Sequence, residues 1–157
     1  MVRTHLKSLI PENWRQYFRE VQFGLSFVHL HGPKTVQPKP NEAVVTCLVK
    51  NGEVYLDQFI EHYFKLGFKH ICFLDNGSTD NTVARAIRHG NVTVCRCTLP
   101  VGSHQGLLKK QLAERTVPAG WCLDVDIDEF FDYPFSDVLP LPEFLEYLNG
   151  KGYSARS

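Results

Sequence analysis

The stretch Val44-Val45-Thr46-Cys47-Leu48-Val49 is a nearly continuous run of β-prone residues. Runs of this kind are typical of strands in parallel sheets, where helices cover both faces. Apolar residues at helical spacing come next: Leu56, Phe59, Ile60, Tyr63 and Phe64. Gly67 then supplies a helix stop. This part of the sequence therefore predicts a buried strand followed by a helix that packs on it.

The same strand and helix pattern recurs along the rest of the chain. Further strands are predicted at His70–Leu74, Val92–Cys97 and Trp121–Asp126. Further helices are predicted around Val83–Ile87, over Gln105–Val117 and over Pro142–Leu148. This alternation predicts an α/β fold in which helices cover both faces of a mainly parallel sheet. In such sheets, ligands bind outside the carboxyl ends of the strands.

Residues 1–40 depart from this pattern, and we interpret them as an amino-terminal helix and a linker. The helix is predicted from apolar residues at three- and four-residue steps: Trp14, Tyr17, Phe18, Val21, Leu25 and Val28. We expect its aromatic side chains to pack against the rest of the protein. His29 and His31 are interpreted as a helix-end feature, and residues 32–40 as an extended linker. The α/β part then covers residues 41–157.

The composition is that of an ordinary soluble globular protein. The chain of 157 residues is 43% hydrophobic and 22% charged, which fits one domain with a full core. Lys plus Arg and Asp plus Glu both number 17, so no global charge favours nucleic acid as a partner. No apolar run is long enough for a membrane helix and no signal peptide is evident, so we expect a cytoplasmic location. The five cysteines are expected to be buried, reduced thiols.

Acidic residues cluster where the last predicted strand ends. Strand geometry would place Asp124, Asp126 and Asp128 on one face. Carboxylates at such short distances repel one another and raise each other's pKa unless a cation or hydrogen-bond donors neutralise them. The spacing therefore favours a divalent-metal site, and carboxylate ligands suit Mg²⁺ or Mn²⁺. The alternative is an acidic turn that caps the next helix.

Three polar segments follow predicted strands: residues 50–53, 75–81 and 124–129. We expect them to converge at one edge of the sheet. The first of them matches neither GxGxxG nor GxxxxGK[ST], which argues against a nicotinamide-dependent enzyme and a P-loop ATPase. If phosphates bind at this edge, a metal must carry much of the charge compensation.

Taken together, these segments resemble family-two glycosyltransferases with a GT-A fold. The closest resemblance is to a branch with a Trp-x4-Asp-x-Asp-Glu-Phe motif, matched here by Trp121, Asp126, Asp128, Glu129 and Phe130. The run Lys50–Leu56 is similar to the first donor-binding segment of that branch, and Asp75–Asp80 is similar to its Asp-x-x-Ser-x-Asp turn. The resemblance covers about 90 residues.

The resemblance implies a glycosyltransferase that moves a sugar from a nucleotide-diphosphate donor to a carbohydrate or other hydroxyl acceptor. Asp126 and Asp128 would hold Mn²⁺ or Mg²⁺ against the diphosphate, with Asp124 in support. The residues expected to bind the donor are Asn51, Asp75 and Gln105.

Members of this family carry a further acceptor half, which holds the catalytic base. We expect the present chain to be a form truncated at its carboxyl end, and the catalytic base therefore stays unassigned. One alternative is a non-catalytic module that binds nucleotide sugar or a partner chain. A metal-dependent phosphohydrolase that uses Asp126 as nucleophile or ligand ranks below both.

Overall fold

A computed structural model describes residues 11–153, apart from the side chain of Ser103. Residues 1–10 of the predicted amino-terminal segment and residues 154–157 lie outside the described residues. The helices are α1 (Glu12–Ser26), α2 (Glu53–Leu66), α3 (Thr82–Ala86), α4 (Val101–Thr116) and α5 (Leu141–Gly150). The strands are β1 (Val28–His31), β2 (Ala43–Val49), β3 (His70–Asp75), β4 (Val92–Arg96) and β5 (Trp121–Asp124).

The five strands form one mixed, mainly parallel sheet in the order β1-β4-β3-β2-β5. Strands β2 to β5 run parallel, and only the edge strand β1 is antiparallel, to β4. The predicted α/β architecture is confirmed. The strands of the parallel part lie where the sequence placed them, although β5 ends at Asp124 rather than at Asp126.

Apolar cores lie on both faces of the sheet. Helices α2, α3 and α5 cover one face, and α1 and α4 cover the other. The side chain of Val45 points into the first core, and that of Val44 points into the second. Successive residues of a strand face opposite sides of the sheet, so a strand buried on both faces needs apolar residues at nearly every position. This requirement explains the continuous apolar run in β2.

The amino-terminal segment contains a strand that the sequence interpretation missed. Helix α1 ends at Ser26, and Phe27 takes an extended backbone with φ −81° and ψ 119°. Val28–His31 then pairs with β4 as an edge strand. The interpretation of His29 and His31 as a helix-end feature is therefore wrong. The free edge of β4 supplies backbone partners that helical periodicity alone cannot reveal.

The aromatic side of α1 faces solvent. Trp14, Tyr17 and Phe18 are all about half exposed, whereas Phe23 on the opposite side of the helix is fully buried. The guanidinium of Arg115 on α4 lies 5.2 Å from the centre of the Phe23 ring. The expectation that the aromatic residues pack inward is wrong, because α1 packs on α4 through the opposite side of the helix, which carries Phe23.

The five cysteines are free thiols; four are buried, as the sequence predicted, whereas Cys122 is only half-buried. Among residues 11–153, no helix is both long and apolar enough to cross a membrane.

Burial of His70 makes the stability of the fold depend on pH. His70 Nε2 donates to Thr93 Oγ1 at 2.9 Å, because that hydroxyl itself donates to Pro33 O. Burial lowers the pKa of His70 from its ordinary value of 6.5. As the pH falls, His70 therefore becomes protonated at a higher pH in the unfolded chain than in the folded one. The free energy of unfolding decreases as the pH drops below about 6.5.

We expect His70→Gln to flatten this dependence. Urea unfolding between pH 7.5 and 5.5 is the measurement. If the free energy of unfolding changes equally with pH in the wild-type protein and the variant, the assignment of this dependence to His70 is wrong.

Candidate functional site

Two polar loops, residues 50–53 and 75–81, meet at the carboxyl ends of β2 and β3; we call them the paired loops. The Asn51 N–H donates to Ser78 Oγ at 2.8 Å, and the Thr79 N–H donates to Asn51 Oδ1 at 2.8 Å. Asn51 has a φ of 54°, a left-handed conformation in which Asn is enriched among non-glycine residues. The predicted convergence of these two segments is confirmed.

Glu53 joins the paired loops a second time. Its N–H donates to Asp80 Oδ2 at 3.1 Å, while its carboxylate accepts the Asn81 N–H at 3.1 Å and Asn81 Nδ2 at 2.9 Å. The side-chain hydrogen bond from Asn81 lowers the pKa of Glu53 below its ordinary value. Because each loop donates to the other and accepts from it, the paired loops form one hydrogen-bonded unit.

The acidic segment, residues 124–129, packs against the paired loops at Gly52. A Cβ at Gly52 would lie 2.6 Å from Val49 Cγ2 and 3.0 Å from Ile127 Cγ1. Only a residue without a side chain allows this close approach. All three predicted strand-end segments therefore meet at one edge of the sheet.

Gly52→Ala is expected to lower the free energy of unfolding by about 1–3 kcal/mol, because the new methyl group would overlap Val49 Cγ2 and crowd Ile127 Cγ1. Urea unfolding measures the effect. The control is Gly106→Ala in α4, where a Cβ has no neighbour within 4 Å. This control is expected to stabilise the helix by about 1 kcal/mol. A Gly52→Ala variant as stable as the wild-type protein would contradict the close packing.

Asp75, at the end of β3, is fully buried. Its Oδ2 accepts Arg96 Nε at 2.7 Å, and its Oδ1 accepts the Ser78 N–H at 3.0 Å. The carboxylate thus anchors the loop that follows and holds a guanidinium at the site edge, with the Arg96 side chain 39% exposed. Direct contact between Asp75 and a ligand requires the loop or Arg96 to move.

Two carboxylates of the acidic segment, those of Asp124 and Asp126, are bridged by a lysine. Lys109 Nζ, on α4, lies 2.9 Å from Asp124 Oδ2 and 2.9 Å from Asp126 Oδ1. Asp124 Oδ1 also accepts Thr46 Oγ1 at 3.3 Å. Partial burial by itself lowers the pKa of Lys109, but the hydrogen bonds to Asp126 and Asp124 outweigh it and raise the pKa to about 12. The cation that the acidic spacing called for is therefore supplied by the chain itself.

Asp128 does not join Asp124 and Asp126 around Lys109. The backbone turns after Asp126, where the Glu129 N–H donates to Asp126 O at 3.0 Å and the Asp126 N–H donates to Glu129 Oε2 at 3.0 Å. This turn ends the strand alternation, and the Asp128 side chain is exposed. Within residues 11–153, no three His, Cys, Asp or Glu side chains are grouped so as to hold a metal ion.

Gln105 lies on α4, four residues before Lys109, and is exposed. Residues four apart occupy the same side of a helix, so Gln105 belongs to the side that carries Lys109. Of the five residues predicted for the site, Asn51 and Asp75 are engaged within the loops. Asp126 is paired with Lys109, and Gln105 and Asp128 are exposed.

Two residues of α2 that sequence reasoning missed hold the end of the acidic motif. Tyr63 OH donates to Glu129 O and accepts the Phe131 N–H, both at 3.0 Å. His62 Nε2 lies 2.8 Å from Phe131 O. In the sequence Tyr63 marks only the apolar side of a helix, and nothing there indicates that its hydroxyl reaches a segment 66 residues away.

Together, the fold and this site define an α/β protein with a charged, carboxylate-rich site at the carboxyl edge of a mainly parallel sheet. Comparison of the sequence with models of known protein families and with curated proteins finds no match.

Proposed function

We propose that this chain is the donor-binding part of a metal-dependent glycosyltransferase with a GT-A fold. One observation carries the proposal: at the edge where the paired loops meet, Asp124 and Asp126 already hold a positive charge between them. Carboxylates placed outside the carboxyl ends of parallel strands suit a divalent cation that is shared with substrate phosphates.

Asp126 and Asp128 are the residues proposed to hold Mn²⁺ or Mg²⁺. Mg²⁺ sites in enzymes commonly use one or two carboxylates together with substrate phosphates, so a third protein ligand is not required. Lys109 Nζ lies 2.9 Å from Asp126 Oδ1, so a metal ion at that oxygen would take the place of the ammonium. When bound, the metal would stabilise the negative charge of the leaving diphosphate.

The remaining groups of the edge suit the other parts of a nucleotide-sugar donor. The Arg96 guanidinium, fixed by Asp75 at 2.7 Å, offers a cation beside the second loop. The hydrogen-bonded paired loops, with Asn51 at their centre, provide a pre-organised surface for the nucleoside. Gln105 on α4 offers a neutral donor and acceptor on the side that carries Lys109.

A non-catalytic nucleotide-sugar-binding module is the second candidate. Its support is the low basicity of two carboxylates near the site, those of Glu53 and Asp132. Hydrogen bonds from Asn81 and Ser136 hold the pKa of Glu53 and of Asp132 below their ordinary values. A general base works best with a pKa near the operating pH, so both carboxylates are poor candidates for deprotonating an acceptor hydroxyl.

Calorimetry with a panel of nucleotide sugars, each titrated with and without Mn²⁺, tests the proposal. We expect metal-dependent binding of one donor class. Slow Mn²⁺-dependent hydrolysis of that donor would support an enzyme, whereas binding without any product would support the module. A panel that does not bind in the presence of Mn²⁺ would contradict both.

A further inference from the structure

Lys109 occupies the position where the acidic segment meets α4. Its side chain is only 21% exposed, and its ammonium makes two contacts of 2.9 Å with separate carboxylates. The neighbouring Lys110 behaves differently, because its side chain is 58% exposed and pairs with Glu114 at 3.8 Å. Lys109 is therefore a fixed part of the site edge and not a solvated surface charge.

A metal ion at Asp126 and the Lys109 ammonium would share one carboxylate, because Lys109 Nζ lies 2.9 Å from Asp126 Oδ1. Two cations that share one carboxylate repel each other, so the arrival of one weakens the contact of the other. A diphosphate changes this balance because it brings negative charge that can pair with the displaced ammonium.

We infer that Lys109 is a built-in counter-cation that competes with the divalent metal for Asp126 and makes metal binding depend on the diphosphate. This inference rests on the proposed function. Without nucleotide, Lys109 neutralises Asp124 and Asp126 and keeps metal affinity low. With a nucleoside diphosphate present, the ammonium pairs with phosphate oxygens, and Asp126 is released to the metal.

The test uses Mn²⁺ alone, titrated into the full chain and followed by the paramagnetic resonance signal of the free ion. Lys109→Met keeps the length of the stem and removes the charge, and is expected to bind Mn²⁺ about tenfold more tightly than the wild-type protein. Lys109→Arg keeps the charge and is expected to retain the weak wild-type affinity. Lys110→Met is the matched control and is expected to leave the affinity unchanged.

A second titration adds uridine or guanosine diphosphate, whichever binds. The diphosphate should tighten Mn²⁺ binding to the wild-type protein but add less to Lys109→Met, since that variant has no ammonium to release. Thermal unfolding of each variant verifies that it is folded.

Mn²⁺ binding to Lys109→Met that equals or is weaker than wild-type binding would overturn the inference about Lys109 while leaving the metal site in place. If neither the wild-type protein nor any variant binds Mn²⁺, with or without diphosphate, the metal step of the proposed function fails as well.

Discussion

Asp126→Ala is expected to weaken Mn²⁺-dependent binding of a nucleoside diphosphate by about 100-fold or more, because loss of a metal ligand exceeds the 10–100-fold cost of losing a supporting contact. The Asp126 carboxylate contacts the Lys109 ammonium at 2.9 Å, and the Asp126 backbone carbonyl accepts the Glu129 N–H at 3.0 Å. Asp128→Ala should act in the same direction. Calorimetry in the presence of Mn²⁺ measures both effects.

The control for this pair is Asp137→Ala. Asp137 is an exposed carboxylate outside the acidic segment, and its removal changes the net charge by the same amount. We expect it to bind the diphosphate as the wild-type protein does. If Asp126→Ala and Asp137→Ala bind equally well, the metal assignment is wrong. Unfolding of Asp126→Ala should remain close to wild type, because its contact with Lys109 is partly exposed and contributes little to stability.

Asp75→Ala is expected to lower the free energy of unfolding by about 2–4 kcal/mol, the range for losing charged hydrogen bonds of a buried group. The change removes the acceptor for Arg96 Nε and the acceptor for the Ser78 N–H. It also leaves a cavity beneath the second of the paired loops. The cost stays below that of a wholly buried ion pair because Arg96 can turn to water.

Asp57→Ala is a matched control, since it also removes an aspartate paired with an arginine. Asp57 contacts Arg85 at the surface, where its side chain is 57% exposed. Exposed pairs contribute about 0–1 kcal/mol, so Asp57→Ala should change stability far less than Asp75→Ala. Similar losses in urea unfolding would show that Asp75 does not anchor the loop. Asp75→Ala should lose nucleotide binding as well as stability, whereas Asp57→Ala should keep its nucleotide binding.

Much of the fold was predictable because it depends on local patterns. The continuous apolar run of β2 and the Gly67 stop of α2 each indicate their element without knowledge of the partner. The edge strand β1 was not predictable in this way. Val28 continues the helical spacing of α1, and its strand pairing depends on the free edge of β4, more than 60 residues later in sequence.

The site was predictable at the level of loops but not of contacts. The position of the acidic segment at a strand end follows from the order of the elements. That Lys109 neutralises it depends on how α4 packs on the sheet, and two adjacent lysines in a helix look alike in sequence. The burial of Asp75 likewise depends on Arg96, which the sequence places only at the end of another strand.

The central claim is that residues 50–53, 75–81 and 124–129 form one site for a nucleoside diphosphate and a divalent cation. Amide proton–nitrogen correlation NMR of the labelled protein, titrated with Mg²⁺ and a nucleoside diphosphate, tests it most directly. We predict that the largest shifts occur together in these three segments and in the part of α4 around Lys109. The absence of shifts, or shifts confined to other parts of the protein such as the exposed side of α1, would contradict the claim.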